Sequence, residues 1–163
     1  MTGNASTESA SVVLDRTIGA PIEQVWQMWA DPDRFAGWYG PPGAEVRIVE
    51  MDVAVGGRRH FSMAMEQPSG PAQMWFVGEF LDVEQPTLLR YTESMSDPDG
   101  RVLEPGEAGL PPGHPATTQV TVALADASGA THLRLTHEGV PAGSPGEMGW
   151  RMALDKLDAA LAG

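Results

Sequence analysis

The chain has 163 residues, 42% hydrophobic and 20% charged, which suits one folded domain around one core. Its net charge of -12 opposes binding to phosphate backbones and anionic lipid, and zero cysteines exclude disulfides, thiolate metal sites and thiol nucleophiles. No apolar run reaches the ~20 residues of a membrane-spanning helix, so nucleic acid and membrane are not expected partners and a cytoplasmic location is expected.

Residues 1–10, MTGNASTESA, are polar, without the basic start and apolar middle of a signal peptide, and predict a disordered arm before a single domain over 11–163. VVLDRT at 12–17 reads as a strand. After Gly19, Pro21 opens a helix in which Ile22, Val25, Trp26 and Trp29 recur at helical spacing. Asp31 caps a second short helix that has Pro32 at its first position and carries Phe35 and Trp38 on one side. Turns in water favour small polar residues, so the rings of RFAGWYGPP at 34–42 must be buried against something.

Beyond the Gly40–Gly43 breaker the period changes to two. AEVRIVEMDV and RRHFSMAM flank a hairpin at Gly56-Gly57, with Phe61, Met63 and Met65 on one face. EQPSGPA at 66–72 reads as a loop, and the strand QMWFVGEFLDVE follows with Met74, Phe76, Gly78 and Phe80 on one face. The other face carries Trp75, Val77 and Leu81, an apolar strip that reads either as a homodimer surface or as core. TLLRYTESM then precedes residues 96–116, which are dense in Pro, Gly and acid and long for a hairpin connection. TQVTVAL and THLRLTHE form the last strand pair. A helix from Ser144, with a capping-box pattern to Glu147, shows Trp150, Leu154, Leu157 and Leu161 on one stripe. Without βαβ alternation, the order predicts an α+β domain.

APIEQVWQMWADPDRFAGWYGPPG at 20–43, VAVGGRRHFSM at 53–63, VGEFLDVEQPTLLRYT at 77–92 and GWRMALDKLDAAL at 149–161 together resemble the bacterial relatives of the Hsp90 ATPase activator's C-terminal domain. That group lies within the START and Bet v 1-like helix-grip (SRPBCC) superfamily. The resemblance implies a curved antiparallel sheet of about six to seven strands gripping a long C-terminal helix, with two short helices after the first strand and a cavity between sheet and helix. The eukaryotic activator's separate N-terminal domain has no counterpart here, so direct contact with Hsp90 is not expected.

A small apolar or aromatic ligand in that cavity is the leading expectation. Its candidate walls are Trp26, Trp29, Phe35, Trp38, Phe61, Met63, Met65, Met74, Phe76, Tyr91, His137, Trp150 and Leu154. No cofactor and no metal are expected: His132 and His137, five apart on a strand, point to opposite faces and cannot converge on an ion. Glu79 and Glu93 lie in strands among apolar residues, and the simpler reading puts both on the outer face. A cyclase, aromatase or lyase-like enzyme is an alternative that needs His137, Glu79 and Tyr91 to converge; a chaperone-interacting module is another. Neither a nucleophile elbow nor a zinc-binding HExxH is present. Because connections of an antiparallel meander alternate between its ends, segments 66–72, 96–116 and 140–144 are expected to gather at one end and cover the cavity entrance, with 96–116 either a lid or a disordered insertion without a role.

Overall fold

Seven strands form one antiparallel sheet in the spatial order β1-β7-β6-β5-β4-β3-β2. They are β1 (Ser11–Ile18), β2 (Glu45–Met51), β3 (Arg58–Gln67), β4 (Gly70–Glu84), β5 (Leu88–Ser96), β6 (Thr117–Ala127) and β7 (Ala130–Glu138). The structure is a computed structural model that describes residues 11–110 and 113–162, so the expected N-terminal arm lies outside the described residues. Helices α1 (Ile22–Ala30) and α2 (Pro32–Ala36) follow β1, and α3 (Pro145–Ala162) closes the fold. This is the α+β domain that the element order predicted, in the helix-grip arrangement that the resemblance implied.

Alternation along each strand decides what faces the core. Val12 and Leu14 from β1, Leu133 and Leu135 from β7, and Val120, Val122 and Leu124 from β6 are buried, as expected of every second residue on a sheet with one covered face. The cover is α3, which buries Trp150, Ala153, Leu154 and Leu157 while Arg151 and Asp155 stay exposed. Asp31 caps α2 as its position predicted, accepting from the Asp33 amide at 2.9 Å and the Arg34 amide at 3.3 Å.

Several local expectations are corrected. The hairpin expected at Gly56-Gly57 forms, with β2 antiparallel to β3, but its connection is longer than the pair, whose backbone is bonded to β4: Gly56 N–H donates to the Phe80 carbonyl and Phe80 N–H to the Gly57 carbonyl. The β2–β3 connection therefore runs over 52–57. Conversely, the expected loop at 66–72 is almost all strand, since Glu66 pairs with Pro71 and Gln67 with Gly70, leaving a tight turn at Pro68-Ser69. At Ser144 the capping box is shifted by one residue. Glu147 Oε1 accepts from the Gly143 amide at 2.9 Å, and the serine hydroxyl donates to the Pro141 carbonyl at 2.6 Å.

The segment after β5 is tied down locally. Asp97 N–H donates to the Arg101 carbonyl, Ser96 bridges Val102, and Leu103 N–H donates to the Met95 carbonyl, which prolongs β5 as a short hairpin. Arg101 in turn contacts the carboxylates of Asp97 and Glu107.

Candidate functional site

A two-chambered cavity opens between the sheet and the first turns of α3. The smaller chamber is about 190 Å³, with Tyr39, Gly40 and Pro41 on one side, Met63 and Phe76 from the sheet, and Gly149, Trp150 and Ala153 from α3. The larger chamber is about 430 Å³; Met95, Leu110, His114, Pro115 and Ala116 supply one wall and Pro141, Ser144 and Pro145 another. Phe76, Glu93, His137, Val140 and Gly146 border both, so the chambers adjoin.

The cavity exists because α3 presents small residues there. Gly146, Gly149 and Ala153, with Trp150, share one face at i, i+3, i+4 and i+7, whereas the next turns fill the core with Leu154 and Leu157. The two glycines differ: a Cβ on Gly146 would meet Val140 Cγ1 at 2.5 Å, but one on Gly149 would meet nothing within 4 Å. Glycine inside a helix costs roughly 0.5–1 kcal/mol against alanine, and at Gly149 what stands against that cost is empty space. Across the cavity, Gly40 adopts φ +85 and packs on Met63, and Lys156 from α3 fixes this turn by donating to the carbonyls of Tyr39, Gly40 and Pro41 at 3.4, 3.2 and 3.3 Å. Burial lowers the Lys156 pKa.

The polar end of the cavity is Glu93. Its Oε1 accepts from Arg59 Nη1 at 3.1 Å and its Oε2 from the Tyr39 hydroxyl at 3.4 Å. Arg59 on β3 must cross β4 to reach β5, and it lies opposite Gly78 in register, where β4 carries no side chain between Phe76 and Phe80. The guanidinium is enclosed by rings, 3.8 Å from the centroid of Tyr91, 5.1 Å from Phe61 and 5.4 Å from Phe35. Burial by itself would lower the Arg59 pKa, but its neighbours Tyr91, Glu93 and Tyr39 outweigh that and the net direction is up, so the side chain stays charged. Burial, then the Glu93 charge, raises the Tyr39 pKa well above its ordinary value, which keeps that hydroxyl a donor.

His137 is held at both ring nitrogens. Trp150 Nε1–H donates to Nδ1 at 2.9 Å, so the proton resides on Nε2, which faces Thr118 Oγ1 at 2.7 Å; Thr118 passes its own proton to the Glu93 carbonyl at 3.1 Å. Burial lowers the His137 pKa, in keeping with this neutral tautomer.

Of the thirteen side chains expected at the walls, Met63, Phe76, His137 and Trp150 border the chambers. Seven do not: Trp26, Trp29, Phe35, Trp38, Phe61, Tyr91 and Leu154 are buried in the core, where they pack on one another and not on space. Trp29 meets Trp38 with centroids 4.7 Å apart, Phe35 stacks on Tyr39 at 4.6 Å, and Trp38 Nε1–H donates to the Met28 carbonyl at 2.7 Å. Tyr39 is the ring that joins this cluster to the cavity, 5.6 Å from Trp150. Met74 is only partly buried, and Met65 borders a separate shallow pocket near Glu66 and Pro71. Glu79 is exposed on the outer face as expected, but Glu93 is buried inside, because it continues the inward parity of Leu89 and Tyr91. Arg59 escaped notice for lack of the same count, since it shares parity with Phe61 and Met63.

The cavity mouth also differs from expectation. Leu110, His114, Pro115 and Ala116 and the segment 140–145 do border it, but 66–72 does not, because that stretch is consumed by β3 and β4; the turn at 39–41 takes the third side. Among the described residues, no group of three or more histidines or carboxylates is placed to hold a metal ion, and no helix is long and apolar enough to cross a membrane.

Residues 19–162 match the family described as Activator of Hsp90 ATPase homolog 1-like protein. The chain belongs to that family. Solved structures resemble this Hsp90-activator-like chain along nearly its whole length. A Chromobacterium violaceum protein is 26% identical with a TM-score of 0.75, the match covering 94% of this chain and 98% of that one. A Mycobacterium smegmatis protein at 20% identity (TM-score 0.72, coverage 95% and 92%) and a Silicibacter pomeroyi protein described as AHSA1 at 24% (TM-score 0.70, coverage 94% and 98%) share the fold. Among curated proteins, none matches.

Proposed function

We propose that this protein binds a small apolar or aromatic molecule in the two-chambered cavity. The observation that carries this reading is the small-residue face of α3, above all Gly149, opposed to Met63 and Phe76 across unfilled space. A helix selected only for stability would carry a larger residue there. Catalysis by the expected set is not favoured: Glu79 is on the outer face, Tyr91 lies in the core, and both nitrogens of His137 are already bonded. The family description also suggests a chaperone-assisting role, which no feature of the cavity favours.

Substituting Gly149→Leu tests the reading directly. The new side chain should enter the smaller chamber, leave stability equal or raise it by up to about 1 kcal/mol through helix propensity, and abolish the emission increase of N-phenylnaphthylamine, an apolar probe that brightens on leaving water. Probe binding equal to that of the unsubstituted protein, with the fold intact, would sink the assignment.

A further inference from the structure

We propose that the cavity selects ligands bearing a neutral hydrogen-bond donor, a hydroxyl group above all, and that Glu93 Oε2 is the atom that reads it. This rests on the cavity being a small-molecule site. At the junction of the chambers the polar side chains are Glu93 and His137, and their bonding is unequal. The one proton of His137 is committed to Thr118, whose own proton goes to the Glu93 carbonyl, and Trp150 spends its N–H on His137. Tyr39 and Arg59 both donate to Glu93. The side-chain donors at the junction are therefore spoken for, and a ligand that brings only acceptors finds no free side-chain donor beside Glu93 and His137.

Acceptor capacity is in surplus. A carboxylate offers about four lone-pair sites, and each oxygen of Glu93 takes one bond from a side chain. The bond to Oε2 is long, 3.4 Å against the roughly 2.5–2.7 Å of a hydroxyl on a carboxylate, so a ligand hydroxyl can displace or join the Tyr39 hydroxyl at little cost. Neutral donors are favoured over ammonium groups because Arg59 already balances the Glu93 charge, while an ammonium would have to be stripped of water in an otherwise apolar chamber. Anions are opposed, since the guanidinium is shut behind its aromatic neighbours and the carboxylate faces the cavity.

Three probes of nearly one shape separate the outcomes in calorimetric titrations: naphthol, naphthyl methyl ether, which lacks the donor, and naphthylmethylamine, which is cationic. Naphthol should bind about tenfold tighter than the ether, the scale of one hydrogen bond to a charged acceptor. Glu93→Gln should shrink that preference, and Tyr39→Phe, which frees Oε2, should increase it. A purely structural role for Glu93 would give no such opposite pair. Equal affinity for naphthol and ether, or tightest binding of the amine, overturns the donor rule while leaving the cavity a binding site. Failure of all three probes to bind overturns both.

Discussion

Arg59 and Glu93 are a charge pair set almost wholly inside the protein, with side chains 2% and 10% exposed. Removing one partner leaves the other buried and uncompensated, so Arg59→Met or Glu93→Leu alone should lower unfolding stability by about 3–5 kcal/mol in urea titrations; the double replacement should recover most of it, as apolar substitutes for buried pairs do. Independent, additive losses would show that the two are not coupled. His137 predicts a pH dependence. Its folded pKa is lowered by burial while the unfolded value is about 6.5. Between the two values the unfolded chain binds more protons, so stability is fully present above about pH 6.5 and is lost as pH falls through the folded value. His60, also lowered by burial, acts with the same sign. The urea midpoint of the protein should therefore drop more steeply on acidification than that of His137→Gln, and identical profiles would exclude the histidine. Both features were accessible by counting in twos along β3, β5 and β7; residue type suggested solvent for Glu93, and register put it inside with Arg59.

At the scale of elements, α3 does two jobs with one stripe. Its C-terminal half is ordinary core, and Leu157, fully buried, should cost about 2–5 kcal/mol on replacement by alanine; a loss near zero would mean the helix does not seat as described. Its N-terminal half keeps the same face and shrinks the residues on it, which is how a helix can grip a sheet and leave room. The stripe was legible from spacing, and so were both short helices and the capping aspartate. Less legible were the connections at 52–57 and 66–72, where Gly and Pro content suggested turns of the wrong length. In both places hydrogen bonding to a neighbouring strand, invisible to local composition, set where the chain reverses.

On the scale of the whole molecule, the antiparallel meander from β2 to β7, with β1 beside β7 and a long closing helix, was legible because strand order and the change of hydrophobic period are global signals. The cavity was less so: large aromatics were expected to line it, yet space is left where side chains are small, and most of the tryptophans and phenylalanines crowd the region beside it. That asymmetry gives the cavity walls of unequal stiffness. One wall, the turn at 39–41, is bolted to α3 by three Lys156 bonds and backed by stacked rings. On the opposite rim, formed from 113–116 and 139–144, Gly139 with φ of +96 lies close against Thr118 and Pro115. For a ligand of the proposed kind, the speed of exchange would then be a property of two short backbone segments, separable from the affinity that the rest of the interior would set.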